Sequence, residues 1–211
     1  MTKQAKKRLS RQERYDTLID ATYRCVAQNG LEGTTIRDIA EFAGVTFGLI
    51  RHYFRNKDEL IEATYTTITA DMTKHARVAA EQAGPDPADK LFAFVKASLS
   101  DPFVSPHYLA FWSNFVGKVL FDLRMRDLHE QGFWRYRQVL TDLVTQTLEQ
   151  AEKPLDEVAL SLMVVKVNAV IDGLWIEACL GVDELKGPEL AQAGIDAVAA
   201  VLGVSLPAQR D

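Results

Sequence analysis

Residues 34–61, TTIRDIAEFAGVTFGLIRHYFRNKDELI, predict two short helices, a tight turn between them and the start of a third helix. Thr35 can cap the first of these helices, and Asp38 at its third position also interacts favourably with the helix dipole. Gly44 supplies the left-handed backbone conformation that the turn requires. Thr46 can cap the helix that follows. The segment therefore has the layout of a helix-turn-helix, whose second helix enters the major groove of DNA.

The second helix of this motif has one face for the protein core and one for solvent. Ile50 and Phe54 have the spacing of core residues, and Val45 is apolar where the two helices meet. The remaining side chains face outward, where DNA would lie: Phe47, Gly48, Arg51 and His52.

The exposed residues predict two kinds of DNA contact, which contribute different things to binding. Phosphate contacts, which position the protein, are expected from Thr35, Thr46, Tyr53 and Lys57. Base contacts, which specify the sequence, are expected from Phe47 and Arg51, because a ring packs against the thymine methyl and a guanidinium forks onto guanine. His52 either reads a base or bonds only to the backbone. Gly48 lets the helix approach the bases closely.

The charge of the chain is unevenly distributed. Residues 1–57 contain eleven Lys and Arg against six Asp and Glu, whereas the whole chain has a net charge of −5. An acidic protein with a basic first quarter indicates an anionic partner at one end only. The basic residues that precede or open the first helix form an arm of Lys3, Lys6, Lys7, Arg8, Arg11 and Arg14. The arm either contacts phosphate or the minor groove, or is a solvated tail that aids solubility.

The stretch GVTFGLIRHYFRNKDELI, residues 44–61, closely resembles the DNA-binding domain of the TetR family of bacterial transcriptional repressors. Glycines, caps and aromatic residues match the family's spacing, although Arg51 stands where the family commonly has tyrosine. The resemblance implies a homodimer that binds double-stranded DNA at a near-palindromic operator and is released by a small-molecule effector. A purely structural helical hairpin would share a helix, a glycine and a helix, but not this complete pattern.

Helical periodicity extends along the chain, and no alternating strand pattern is present. Caps, glycines and prolines divide the sequence into about nine helices. The first is expected from Ser10 to Gly30, and those after the helix-turn-helix at about 57–82, 87–100, 106–119, 121–151, 155–180 and 187–202. We expect an all-α protein with a basic arm and three-helix DNA-binding domain over residues 1–56, and a helical effector-binding and dimerisation domain over residues 57–211.

Two segments of the second domain, LAFW at 109–112 and IDGLWI at 171–176, resemble the C-terminal region of BetI-type repressors, which respond to choline. The resemblance makes five residues candidates for a ligand pocket: Phe111, Trp112, Trp134, Asp172 and Trp175. Aromatic faces attract quaternary ammonium groups by cation–π interaction, and Asp172 can supply a counter-charge. The alternative for each aromatic residue is ordinary core packing, and Trp175 also fits a dimer interface. An unrelated hydrophobic ligand stays open as well.

The last two helices carry more apolar surface than one neighbouring helix can bury. The eighth contains Leu160, Leu162, Met163, Val167, Val170, Ile171, Leu174 and Ala178, and the ninth contains Ala191, Ile195, Val198, Ala199 and Leu202. We expect both stripes to lie in a four-helix interface, with two helices from each subunit. Such a homodimer would hold two recognition helices about one DNA turn apart, roughly 34–36 Å.

Other function classes have little support in the sequence. It contains no nucleophile elbow, no His-Glu-x-x-His motif, no phosphate-binding glycine loop and no cluster of metal ligands, so we expect neither an enzyme nor a cofactor. The N-terminus lacks an apolar signal segment, and the run 158–171 is interrupted by Lys166 and Asn168 and too short to span a membrane. Cys25 and Cys179 are expected to be free thiols. We therefore expect a cytoplasmic protein, and the remaining alternative is a helical interaction module without DNA binding.

Overall fold

The computed structural model describes residues 10–181 and 187–205, and these residues form nine helices and no strand. In chain order the helices are α1 (Arg11–Gly33), α2 (Ile36–Ala43), α3 (Phe47–Tyr53), α4 (Lys57–Gln82), α5 (Pro87–Ser98), α6 (Pro106–Phe121), α7 (Leu123–Gln150), α8 (Glu157–Cys179) and α9 (Pro188–Leu202). The all-α prediction is confirmed. Four residues of the basic arm, Lys3, Lys6, Lys7 and Arg8, lie outside the described residues.

A small hydrophobic core joins α1, α2, α3 and the first turns of α4. Ile39 of α2 and Ile50 of α3 are fully buried in it, and Phe54, which directly follows α3, is 5% exposed. Ile50 and Phe54 thus hold one face of α3 against the protein. The face that carries Phe47 and Arg51 stays exposed as a consequence.

The caps of the helix-turn-helix lie where the sequence predicts them. Thr35 and Asp38 form a reciprocal capping box at the start of α2. Gly44 ends α2 in the left-handed conformation, at φ 61°, and the N–H of Val45 donates to the carbonyl of Ala40. These bonds pair backbone groups that a helix end leaves open, so they fix how the chain passes from α2 to α3.

The first helix extends past its predicted end. Gly30 has φ 73° and ψ 169°, outside the helical range, but helical turns resume and α1 ends only at Gly33. Glycine adopts this positive φ without the steric cost that a side chain brings. The result is a kink in α1 just before the chain turns into α2.

The largest core lies among the C-terminal part of α4 and helices α5, α7, α8 and α9. Phe94 of α5, Leu140 of α7 and Val167 of α8 are fully buried in it, together with Val198 of α9. These helices, together with α6, are called the body below, and α1, α2 and α3 are called the helix-turn-helix part.

Helix α9 buries its apolar stripe inside its own subunit, which corrects the expectation that this stripe faces a partner. The stripe residues that are at most 4% exposed are Ala191, Ile195, Val198 and Leu202. They pack against the large core through α5 and α8. Helix α8 also packs most of its predicted interface stripe against this core, which corrects that expectation as well: the residues concerned are Leu160, Met163, Val167, Val170, Ile171, Leu174 and Ala178. Of that stripe only Leu162 is exposed, at 57%, and the apolar residues Val158 and Val165 beside it are 71% and 41% exposed. The apolar surface that the subunit leaves exposed on this side therefore lies mainly on α8.

Helix α8 is longer than the apolar run at residues 158–171. With 23 residues it is long and apolar enough to cross a membrane by length and composition, and 22% of its most apolar 18-residue stretch is buried in the subunit. Length alone therefore does not exclude a membrane span for this helix. Helices in the core or in a subunit interface of a soluble protein have the same apolar composition. The exposed apolar face of α8 therefore indicates only that another apolar surface can pack against it.

A third cluster connects the helix-turn-helix part to the body. Leu31 of α1, Tyr65 of α4, and Phe111 and Phe115 of α6 pack together in it. The rings of Tyr65 and Phe115 have centroids 4.7 Å apart. Helices α4 and α6 therefore both reach from the body to α1, which packs against the helix-turn-helix.

Candidate nucleic-acid interface and candidate ligand cavity

The outer face of α3 presents the residues that the sequence predicts to contact bases. Phe47, Gly48, Arg51 and His52 are all exposed. The guanidinium carbon of Arg51 lies 5.0 Å from the centroid of the Phe47 ring, so the two side chains form a cation–π pair on the helix surface. A flat apolar ring and a planar five-donor cation therefore stand side by side on the helix that a major groove admits.

Two of the residues predicted to contact phosphate have donors left for it. Thr46 Oγ1 accepts the N–H of Leu49 at 3.3 Å, so its own hydrogen is available to a phosphate. Lys57 Nζ donates to the carbonyl oxygen of Leu31 at 2.6 Å, and an ammonium has two further hydrogens. Both residues can bind phosphate without giving up these bonds.

The other two residues predicted to contact phosphate already use their single hydroxyl hydrogen. Thr35 Oγ1 donates to Asp38 Oδ2 at 2.6 Å, and the Tyr53 hydroxyl donates to the carbonyl of Arg11 at 3.4 Å. The Thr35 hydroxyl and N–H hold the pKa of Asp38 below its ordinary value, with a smaller contribution from the charge of Lys57. A phosphate contact by Thr35 or Tyr53 therefore requires an exchange of hydrogen bonds, and the longer bond of Tyr53 is the easier one to exchange.

A cavity of about 280 Å³ lies in the body, between α4, α5, α6, α7 and α8. Most of its wall is aromatic or aliphatic, and its lining includes Tyr65, Ile68, Met72, Tyr108, Phe111, Trp112, His129, Phe133, Tyr136, Asn168, Ile171, Asp172 and Trp175. Its size is near the lower end of the range for small-molecule sites in proteins.

Three aromatic side chains meet edge to face in the wall of this cavity. The ring centroids of Trp112 and Trp175 are 5.7 Å apart at 83°, and those of Tyr108 and Trp175 are 6.1 Å apart at 90°. Trp175 Nε1 donates to the carbonyl of Phe103 at 2.8 Å, which fixes the indole in place. The polar atom of Trp175 is thus satisfied by the protein, and its rings are left to serve as an apolar surface.

Asp172 brings a carboxyl group into this aromatic cavity. Asn168 Nδ2 donates to Asp172 Oδ2 at 2.6 Å. Asp172 as a whole is exposed, but the protein around its carboxyl removes part of the water and raises the pKa of that group, against the opposing effects of the Asn168 bond and the Arg137 charge. A cation placed in the cavity would stabilise the charged form of this carboxylate, which desolvation disfavours.

The other polar groups of the cavity wall are paired with one another. The Tyr65 hydroxyl and His129 Nδ1 are 2.7 Å apart, and the Tyr136 hydroxyl and Ser98 Oγ are 3.0 Å apart. Burial lowers the pKa of His129, so its imidazole is neutral at pH 7. The wall therefore presents neutral groups around the one carboxylate of Asp172.

The structure brings four of the five predicted ligand residues together. Phe111, Trp112, Asp172 and Trp175 line the same cavity, whereas Trp134 is 59% exposed and lies outside its wall. The neighbouring Phe133 occupies the wall instead, because adjacent residues of a helix point in directions about 100° apart.

Sequence reasoning missed several residues of the wall. Tyr65, Tyr108, His129 and Tyr136 come from three helices, and their spacing along the chain does not distinguish them from ordinary core residues. The only local signal was that Tyr108 precedes the LAFW segment directly.

Comparison with known proteins gives two family matches that together cover most of the chain. Residues 18–64 match the tetR family of bacterial regulatory proteins, and residues 87–203 match the C-terminal domain of BetI-type transcriptional repressors. The HTH-type transcriptional regulator BetI of Burkholderia lata is 33% identical over 192 residues, which are 88% of this chain and 94% of that protein.

Solved structures with the same fold cover nearly the whole chain. A putative transcriptional regulator from Pseudomonas aeruginosa has a TM-score of 0.82 and 28% sequence identity, and the match covers 93% of both chains. A putative transcriptional regulator from Saccharomonospora viridis, solved in complex with choline, has a TM-score of 0.72 and 19% identity over 88% of this chain and 95% of that one.

Proposed function

The chain belongs to the tetR family of bacterial regulatory proteins, with a BetI-type C-terminal domain, and on this premise we propose that it is a homodimeric repressor released from its operator by a quaternary amine such as choline. That it is a DNA-binding transcriptional regulator and not an enzyme follows from the family. The dimer, the near-palindromic operator, the contact residues and the effector are the proposed parts. We place the division between DNA-binding and effector domains at the start of α4, with residues 1–56 on one side and 57–211 on the other.

The observation that carries the effector proposal is the carboxylate of Asp172 in an aromatic cavity. A trimethylammonium group has no hydrogen to donate, so a site recognises it by aromatic faces and a nearby negative charge. Trp112, Trp175 and Tyr108 supply the faces, and Asp172 supplies the charge. The BetI-type match and the choline complex of the Saccharomonospora viridis protein make choline the first compound to test.

An uncharged apolar ligand is the second candidate, because the cavity wall is mostly apolar. Asp172 argues against it, since a desolvated carboxylate next to an apolar ligand stays uncompensated. Choline and its neutral carbon isostere, in which a tert-butyl group replaces the trimethylammonium, separate the two candidates directly. Tighter binding of choline supports the cation site, and tighter binding of the isostere supports the apolar one.

The proposed dimer uses the exposed apolar face of α8. Val158, Leu162 and Val165 recur at the four- and three-residue spacing of helix packing positions and lie on one side of the helix. Pairing this face with its copy in a second subunit is the isologous arrangement that a two-fold axis produces. It also removes the apolar surface that an isolated subunit exposes, so the protein needs no membrane to cover it.

The proposed DNA contacts give a test that separates the two kinds of residue on α3. Arg51→Ala should cost about 1–3 kcal/mol on the preferred operator and relax the preference at one base pair of each half-site, because a guanidinium on guanine carries sequence information. Tyr53→Phe removes only a hydroxyl, so it should weaken binding to all sequences alike. Selection from a random DNA library with each variant, followed by affinity measurement, checks both results.

The outcomes that count against this assignment are equally specific. Unchanged base preference in Arg51→Ala would remove Arg51 from base recognition. If the folded wild-type dimer selects no palindrome and forms no salt-sensitive complex with the DNA upstream of its own gene, the operator proposal is wrong.

A further inference from the structure

We infer that Asn114 is a positioning residue for DNA binding: it fixes the backbone of Leu31 through the N–H of this residue, and the Leu31 carbonyl in turn holds the Lys57 ammonium ready for phosphate. The inference rests on the phosphate contact proposed above for Lys57. It adds a connection from the cavity helix α6 to the DNA interface that does not run along α4.

The kink in α1 creates the group that Asn114 binds. Because Gly30 leaves the helical conformation at ψ 169°, the following N–H is directed away from the carbonyls of the preceding turn. That N–H belongs to Leu31, which is 6% exposed, and it donates to Asn114 Oδ1 at 3.0 Å. A largely buried N–H without an acceptor is unfavourable, so the Asn114 oxygen stabilises the kinked conformation.

Helix α6 holds the Asn114 carboxamide in the orientation that this bond needs. Asn114 Nδ2 donates to the carbonyl of Ala110, one turn earlier in α6, at 2.6 Å. Since a carbonyl can only accept and the Leu31 N–H can only donate, the two bonds together define which end of the amide faces α1. Asn114 thus transmits the position of α6 to the backbone of α1.

Lys57 also binds Leu31, at the carbonyl oxygen of that residue. Its Nζ donates to the Leu31 carbonyl at 2.6 Å, and Lys57 is the first residue of α4, four positions after the end of α3. The bond confines a long side chain that would otherwise sample many rotamers, and it leaves two ammonium hydrogens for phosphate. A displaced Leu31 would release the ammonium and reduce the benefit of this confinement.

The same helix that carries Asn114 also lines the cavity. Phe111 and Trp112 lie in the cavity wall, and Phe111 also belongs to the cluster that contains Leu31. Lys118 of α6 pairs with Asp58, the neighbour of Lys57, with 3.9 Å between Nζ and Oδ1. A shift of α6 on ligand binding would therefore reach Lys57 through Leu31, and the exposed ion pair adds little to this connection.

The experiment is a double-mutant cycle read by the salt dependence of DNA binding. Asn114→Leu keeps the side-chain volume and removes the acceptor, and Lys57→Met removes the charge. With a duplex selected by the wild type, Lys57→Met should lower the slope of log Kd against log salt by about 1 per subunit. Asn114→Leu should lower the slope in the same direction and weaken binding about tenfold, a loss of roughly 1.4 kcal/mol. The double variant should bind no more weakly than Lys57→Met alone, because Asn114 acts through Lys57.

Ser113→Ala is the matched control, because Ser113 Oγ donates to the same Ala110 carbonyl at 3.1 Å while lying next to Asn114 on α6. It should keep the wild-type affinity and slope. Hydrogen exchange of the Leu31 amide in the DNA-free protein should be faster in Asn114→Leu and unchanged in Ser113→Ala. Asn114→Asp, which retains an oxygen acceptor, should keep the amide protected and gives a second variant if leucine is not accommodated.

Three results would overturn the inference. Wild-type affinity and slope in Asn114→Leu would show that Asn114 does not position the interface. Additive losses in the double variant would show that Asn114 acts on the fold and not through Lys57. An unchanged salt slope in Lys57→Met would overturn both this inference and the proposed phosphate contact. If Lys57→Met lowers the slope as expected but Asn114→Leu has no effect, only the inference is overturned.

Discussion

Leu162→Arg should convert the proposed dimer into a folded monomer and weaken operator binding by about 100-fold to 10,000-fold, the range over which linking two binding modules raises affinity. Leu162 is 57% exposed in the subunit and lies in the middle of the α8 face, so arginine is tolerated in the monomer. In the dimer the same side chain would place a charge next to its own copy across the two-fold axis. Sedimentation and operator titration measure the two effects separately.

Leu120→Arg is the matched control for this substitution. Leu120 is 60% exposed, close to the value for Leu162, but it belongs to α6 and not to the α8 face. The control should remain dimeric and should bind the operator normally. If Leu162→Arg leaves a dimer of wild-type affinity, the α8 face is not the subunit interface.

Asp172→Asn should weaken choline binding about tenfold, a loss of roughly 1.4 kcal/mol. This value lies between those for exposed and for buried charge pairs, because Asp172 lines the cavity but keeps part of its surface in water. The substitution keeps the shape of the side chain and an oxygen that can accept the Asn168 bond. Affinity for the neutral tert-butyl isostere should change little, since that ligand has no charge to lose. Trp112→Ala should weaken binding of choline by about 0.5–2 kcal/mol, the range for one cation–π contact. Calorimetry with both ligands checks all three results.

The pH dependence of Asp172 provides a second measurement with a definite sign. Burial raises the pKa of its carboxyl in the folded protein above the ordinary value of 3.8, so the carboxyl favours folding only at low pH. This contribution is complete below 3.8 and is lost as the pH rises through the higher folded pKa. Near neutral pH Asp172→Asn should therefore not lower the Tm and should raise it slightly, and the difference should vanish towards pH 4. Choline affinity has the opposite dependence and should fall as acid protonates the carboxylate. A lower Tm for Asp172→Asn at neutral pH would mean that Asp172 serves stability instead of ligand binding.

The helix-turn-helix could be predicted from the sequence because its determinants are local. A left-handed glycine at Gly44, hydroxyl caps at Thr35 and Thr46 and core positions at Ile50 and Phe54 all act within one or two helical turns. Each is specified by residue type and spacing alone. The orientation of α3 follows from them, and with it the exposed face.

The cavity could be predicted only in part, since helices distant in the sequence form it. The resemblance to BetI-type repressors pointed to Trp112, Asp172 and Trp175, but Tyr65 and Tyr136 contribute through packing that no local pattern encodes. Trp134 shows the limit of reasoning from residue type, because the smaller Phe133 beside it has the inward direction.

The apolar stripes of the last two helices show a related limit. A stripe that packs against its own subunit and a stripe that packs against a partner have the same composition and period. Helix α9 packs against α5 and α8, so its stripe is buried within the subunit. On α8, by contrast, Leu162 remains exposed beside Val158 and Val165. Only the tertiary arrangement distinguishes the two cases.

In the proposed repressor, occupancy of the aromatic cavity and binding of DNA weaken each other through one conformational equilibrium. Its most direct test is the operator Kd of the wild type without and with saturating choline, together with the choline Kd without and with saturating operator. Choline should weaken operator binding by about 5-fold to 150-fold, and the operator should weaken choline binding by the same factor, because coupling between two sites is reciprocal. Choline that binds in the cavity and leaves the operator Kd unchanged, or two equilibrium factors that differ, would contradict the account.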